Sequence, residues 1–203
     1  LFDGFNGNRN LKPETGHEFD LGVHHKFGKT WNSNLSFFSR STKDKIGWVM
    51  TDPANFTGQY RNFDTEKARG INADVRKQLT NHLSARLGYT YTHIDATPTR
   101  KANRDGYVPK HAVNAGLDYN DAKWDAHLDI RGINRPGTAD NVFPRKTYWL
   151  ADISANYRIR ENVTVFGRIN NIFDTYYAEQ SNVRWGNPGD WWPGQGRNFR
   201  LGV

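Results

Sequence analysis

Leu83-Ser84-Ala85-Arg86-Leu87-Gly88-Tyr89-Thr90-Tyr91-Thr92-His93-Ile94-Asp95 is the stretch whose reading decides the fold. Leu83, Ala85, Leu87, Tyr89 and Tyr91 oppose Ser84, Arg86, Gly88, Thr90 and Thr92. A period of two sends alternate side chains to opposite faces of an extended chain, so this is a strand with one apolar and one polar face. Its length is a second clue. A strand tilted across a bilayer needs about ten residues, whereas strands of soluble sheets are usually shorter.

The same alternation recurs along all 203 residues. It predicts nine strands: His17 to Phe27, Trp31 to Trp48, Asn62 to Leu79, Leu83 to Asp95, Pro109 to Tyr119, Trp124 to Asn134, Tyr148 to Ile159, Val163 to Phe173 and Arg197 to Val203. In the sixth, Trp124, Ala126, Leu128 and Ile130 oppose Asp125, His127, Asp129 and Arg131. A sandwich core could not bury such a polar face, but a wet lumen suits it. The connections alternate too. Gly28 to Thr30, Thr80 to His82, Asn120 to Lys123 and Arg160 to Asn162 are tight turns, while Val49 to Tyr60, Ala96 to Val108, Pro136 to Lys146 and Tyr177 to Gln195 are long and polar. Bacterial outer-membrane barrels place short turns on the periplasmic side and long loops outside.

Composition agrees. Apolar residues make up only 36% of the chain and aromatics 14%, with a mean hydropathy of −0.85. A barrel tolerates this because every second strand residue meets lipid and aromatics gather at the two interfaces. No run approaches the roughly 18 apolar residues of a membrane helix, which excludes a helical span. Zero cysteines exclude a disulfide framework and a thiolate metal site. The net charge of +7 favours anionic partners such as lipopolysaccharide phosphates, anionic ligands or nucleic acid, set against a merely solvated basic surface. The chain starts at Leu1 without a signal peptide, so the natural N-terminus is expected to lie upstream.

Four segments narrow the choice of barrel. Asn10-Leu11-Lys12-Pro13-Glu14-Thr15-Gly16-His17-Glu18 resembles the NLKPE segment that precedes a strand in TonB-dependent outer-membrane receptors. Lys67-Ala68-Arg69-Gly70-Ile71-Asn72 is similar to that family's internal ARGxE strand, with Asn72 where Glu is common. Arg168-Ile169-Asn170-Asn171-Ile172-Phe173-Asp174-Thr175-Tyr176-Tyr177 resembles its NLFDxxY segment, and Gly196-Arg197-Asn198-Phe199-Arg200-Leu201-Gly202-Val203 its closing GRNF strand. Their order along the chain carries more weight than any one of them. Physically, Pro13 removes a ladder donor at a strand entry, and Asn170, Asn171 and Asp174 can satisfy backbone donors where a strand leaves the membrane.

The resemblance implies an all-β, antiparallel transmembrane barrel of 22 strands, of which this chain supplies about nine. Residues 1–203 are then the C-terminal portion of the barrel, a single domain incomplete at both ends. Its partners are the missing N-terminal plug, the remaining barrel strands, the TonB complex reached through that plug, and lipopolysaccharide with outer-membrane lipid. The ligand that the resemblance implies is a ferric siderophore or other iron chelate, haem, or alternatively cobalamin. Nucleic acid is not an expected partner, and neither enzymatic activity nor a cofactor is expected. Glu18, Asp20 and His24 are expected to line the lumen or meet the plug. Seven residues from Arg197 cannot span a bilayer, so the last strand is expected to continue beyond Val203.

The ligand-binding candidates lie in the long connections. Arg184, Trp185, Trp191 and Trp192, among Gly and Pro, could stack on and charge-pair with a planar anionic ligand. The plainer reading puts those tryptophans in the interfacial girdle or against the rim. Arg100 and Arg104, with Lys101, could attract an anionic ligand or lipopolysaccharide, or simply form a solvated loop. His17 is the histidine nearest an outer loop and the one candidate to reach a haem iron, while no His-x-His or His-x-x-x-His spacing marks a metal site. Two rivals stand against a receptor. A passive porin or adhesin barrel would lack a plug, and a soluble β-rich module would partition into buffer without detergent.

Overall fold

A computed structural model describes residues 7–52, 54–55, 57–96, 108–135, 144–181 and 191–203. Nine strands build one antiparallel sheet: β1 (Thr15–Phe27), β2 (Trp31–Asp52), β3 (Thr57–Gln78), β4 (Leu83–Ala96), β5 (His111–Asn120), β6 (Trp124–Asn134), β7 (Thr147–Arg160), β8 (Val163–Asn170) and β11 (Asn198–Gly202). They lie side by side in chain order, β1-β2-β3-β4-β5-β6-β7-β8-β11. Two short strands, β9 (Ala178–Ser181) and β10 (Trp191–Pro193), form a separate hairpin between β8 and β11. The sheet is not closed, and β1 and β11 are its edges.

Register decides which side chains share a face, because directly opposed residues point the same way. One row runs Val23–Leu35–Ala73–Tyr89–Val113, continuing through Gly132 to Trp149. A second runs Ala85–Leu117–Leu128–Ile153–Ile169–Phe199. This is the apolar face, and it stays open to its surroundings: Leu21 is 62% and Leu201 84% exposed. Aromatic residues border it at both ends. Phe27, Trp31, Tyr119, Trp124 and Tyr157 stand near the tight turns, and Tyr89, Tyr91 and Trp149 near the other end. Trp149 and Tyr157 are eight residues apart on β7, about 20 Å along the membrane normal for a strand tilted by about 40°. That height fits the apolar band of an outer-membrane barrel.

The opposite face is polar and bonded from strand to strand. Arg86 pairs with Asp129 and reaches Asp118 at 3.3 Å, which also meets Arg76 at 3.6 Å and His127 at 2.8 Å. His127 Nε2 lies 2.9 Å from Asp125, whose Oδ1 also accepts from Asn156 at 3.0 Å. Arg86 lies flat across Gly116, where a Cβ would come within 2.5 Å of the guanidinium.

Three of the tight turns are closed by a local device. Gly28 adopts φ +61°, which a residue without Cβ takes up without steric cost. Thr80 Oγ1 accepts from the His82 and Leu83 amides, and Asp121 Oδ1 from the Lys123 and Trp124 amides at 2.7 Å.

Three expectations change. The first predicted loop is mostly strand: β2 runs on to Asp52 and β3 starts at Thr57, because Asp52 accepts from the Ala54 and Asn55 amides and folds a short Asx turn. The predicted strand to Phe173 stops at Asn170, since Asn171 takes φ +50° and leaves the ladder. The last predicted loop contains the β9–β10 hairpin.

Candidate ligand-binding site

The NNIFDTYY segment converts the end of β8 into a fixed corner. Asn171 and Asp174 both adopt left-handed backbone, at φ +50° and +52°, a conformation Asn and Asp tolerate better than other side chains. Asn171 is buried, and its side chain acts as a clamp. Its Oδ1 accepts from the Thr175 amide at 2.9 Å, and its Nδ2 donates to the Thr175 and Gln195 carbonyls at 2.9 and 3.1 Å. The Asn171 amide donates to Asp152 Oδ1 on β7 at 2.7 Å. Asp174 Oδ1 accepts from the Arg197 amide at 2.8 Å, which draws the start of β11 against the end of β8.

This corner borders a cleft of about 300 Å³ on the polar face, lined by Arg131, Asp152, Arg168, Asn198, Arg200 and Tyr177 among others. Arg168 and Arg200 are register partners. Arg168 Nε donates to Asn170 Oδ1 at 2.7 Å, and Arg131 pairs with Glu179 of β9 at 2.8 Å. Burial pushes the Tyr177 hydroxyl above its ordinary pKa, and the charge of Glu179 adds to the shift. Tyr177 therefore stays a neutral hydrogen-bond donor at physiological pH. Its ring packs 5.1 Å from that of Tyr148. Three guanidiniums against the carboxylates of Asp152 and Glu179 leave the cleft with a net positive charge, a place for an oxygen-rich anion.

Among the sequence candidates, Trp191 and Trp192 stand on β10 beyond this corner. Trp191 Nε1 donates to the Tyr176 hydroxyl at 2.7 Å, which ties it to the segment that follows the Asn171 corner. Trp192 is 59% exposed and free to stack. Arg184, Trp185, Arg100 and Arg104 lie outside the described residues. His17 shares the face of Phe19 and sits opposite Ser41, so it lies on the outward face of the sheet. Glu18, Asp20 and His24 occupy the polar face, where Glu18 pairs with Arg40 at 2.9 Å and His24 with Asn34. Sequence reasoning placed Arg131 on the polar face but did not gather it with Arg168, Arg200 and Tyr177. Sheet register and the corner at Asn171 together bring those four to one cleft.

The family model described as TonB dependent receptor-like, beta-barrel, matches residues 1–172. The chain belongs to the TonB-dependent receptor β-barrel family. Members of this family are outer-membrane transport receptors, and this chain is an outer-membrane β-barrel sequence. It is 29% identical to the iron-regulated outer membrane virulence protein of Vibrio cholerae serotype O1, over 97% of its own length and 32% of the relative's. It is 27% identical to the vitamin B12 transporter BtuB of Photobacterium profundum, over 85% of its length and 28% of the relative's. Its fold matches the FrpB iron transporter of Neisseria meningitidis with a TM-score of 0.73 at 21% identity, covering 97% of this chain and 32% of that one. The chain thus spans about a third of the length of the relatives it matches.

Proposed function

We propose that this chain is the C-terminal part of a receptor barrel that captures a scarce ligand, a ferric siderophore first and haem or cobalamin next, for uptake energised through TonB. The observation that carries this reading is the arginine cleft of Arg131, Arg168 and Arg200 on the polar face, set below the aromatic hairpin of Trp191 and Trp192, in a chain of this family. Iron chelates and haem present carboxylate, catecholate or hydroxamate oxygens beside flat or greasy surfaces. Guanidiniums bind the oxygens in bidentate fashion and exposed indoles cover the rest. In this reading Arg184, Trp185, Arg100 and Arg104 add contacts from the outer loops. The plug closes the lumen and rearranges when pulled from the periplasm, and lipopolysaccharide surrounds the outer rim.

The test is growth of a strain deleted for the full-length receptor on single iron or cobalamin sources. Loss of growth on one ferric chelate, restored by the receptor only when TonB is present, is the expected result. Growth that is restored without TonB points instead to a passive porin. In the same receptor, replacing Trp191 and Trp192 together by Ala is expected to weaken binding of that chelate about tenfold, in line with a lost stacking platform of about 1–2 kcal/mol. Unchanged affinity in equilibrium titration removes the hairpin from the site.

A further inference from the structure

The apolar face ends abruptly toward the outer connections, and the surface beyond it is cationic. The register row Leu21–Phe37–Ile71–Tyr91 is wholly apolar or aromatic. One pleat further out, on the same outward face, the row reads Phe19–Ser39–Arg69–His93, and the next reads His17–Ser41–Lys67–Asp95. Lys43 lies one pleat beyond, opposite Thr15. Lys43, Lys67 and Arg69 are all exposed. Three fixed positive charges against the one carboxylate of Asp95 leave a net +2. Arg69 and Asp95 are only loosely paired, at 3.9 Å with each side chain 63% exposed. Ser39 and Ser41 stand between the cations and keep the surface there low.

Position makes this patch informative. It begins at the level of Tyr91, which belongs to the aromatic border, so it faces outward at the depth of the lipid headgroups. Aliphatic stems of Lys and Arg lie along apolar surface at such a boundary while their charges reach the polar layer. Residues two apart on one strand, and their diagonal neighbours on the next, are separated by about 7–8 Å. That spacing lets neighbouring cations grip one phosphate between them, with serine hydroxyls as further donors.

We propose that Lys43, Lys67 and Arg69, with Ser39 and Ser41, form a binding site on the outer wall of the barrel for the phosphorylated sugar headgroup of the lipid that fills the outer leaflet. The site rests on the outer-membrane placement of the chain and gives residues to the lipopolysaccharide contact, independently of the uptake reading. His17 and His93 flank it.

The test uses the full-length receptor, stripped of lipid in an uncharged detergent, titrated with bisphosphorylated lipid A in mixed micelles. Saturable binding is expected, at least tenfold weaker in the K43Q/K67Q/R69Q variant and weakened by 0.5 M salt. A K26Q/K29Q variant, altered at a turn of the opposite end, is expected to bind as the wild type does. Lipid A lacking both phosphates is expected to bind at least tenfold more weakly, and millimolar inorganic phosphate to compete poorly. The proposal is overturned if the triple variant or the dephosphorylated lipid binds as tightly as its counterpart, or if both variants lose binding equally. It is also overturned if free phosphate displaces the lipid, which would make this a soluble-anion site. The single variant K67Q, read for a smaller loss in the same titration, serves if the triple variant does not fold. Loss of chelate uptake with lipid A binding intact would count against the proposed function and leave this site standing.

Discussion

Single polar residues carry much of the order at both ends of the barrel wall. Asn171 shows why its position is so restrictive: it must adopt left-handed backbone, accept one amide and donate to two carbonyls. Asn171→Ala removes those bonds and puts a Cβ residue of poorer left-handed tolerance in place. The expected cost is about 4–5 kcal/mol, from about 1 kcal/mol for each of the three lost bonds and about 1–2 for the backbone. Asn171→Asp keeps the acceptor and loses the donor, so thermal unfolding of the full-length receptor should rank it between Ala and wild type. Asp121, in a tight turn, gives a pH prediction. The Tyr119 hydroxyl, then the Trp124 and Lys123 amides, lower its pKa from 3.8 to about 2. A carboxylate depressed in the folded state stabilises it above the unfolded pKa, and that contribution fades as pH falls from about 4 toward 2. Unfolding midpoints of wild type should therefore fall through this window more steeply than those of Asp121→Ala, and parallel curves would remove Asp121 from the acid response.

At the scale of elements, the polar face is one network rather than a set of separate pairs. Asp118 is its junction, meeting Arg76, Arg86 and His127 from β3, β4 and β6, with its own side chain 19% exposed. Removing it by Asp118→Ala leaves Arg86 with Asp129 and strips His127 of one partner. The expected loss is about 2 kcal/mol, because unsatisfied polar groups in a semi-enclosed wall cost more than the bonds themselves contribute. An unfolding midpoint within error of wild type would show that water replaces the carboxylate. The faces of these elements were legible beforehand because alternation is a local property: Leu83 to Tyr91, and Trp124 to Arg131, keep the faces read from their order. The hairpin at Asp52 was not legible, since polar residues in a long solvated strand look like a loop until the Asx turn closes. The arginine cleft was hidden for another reason. Arg131, Arg168 and Arg200 lie on three strands, and their meeting depends on the turn at Asn171 and on register, neither of which local periodicity reports.

For the whole molecule, the open edges decide what the chain can do alone. β1 carries 13 residues, all of them exposed, and β11 closes the other side with Phe199 and Leu201 at 66% and 84% exposure. Along β1 about half of the backbone donors and acceptors point away from β2, toward the place where the next strand belongs. Lipid offers no hydrogen bonds, and each unmet group in the hydrocarbon costs several kcal/mol, so an open sheet of this size is not a stable membrane structure. The stability of this wall must therefore come in large part from strands that complete the ring. Residues 1–203 refolded alone into detergent micelles should give heterogeneous β-rich aggregates, with no heat-modifiable band in unboiled gel electrophoresis. The full-length receptor refolded in parallel should show such a band. A monomeric, heat-modifiable species from the 203-residue chain alone would mean that β1 and β11 can pair with each other. In that event the sheet would close as a small barrel of nine strands, and the dependence of this wall on further strands would fail with it.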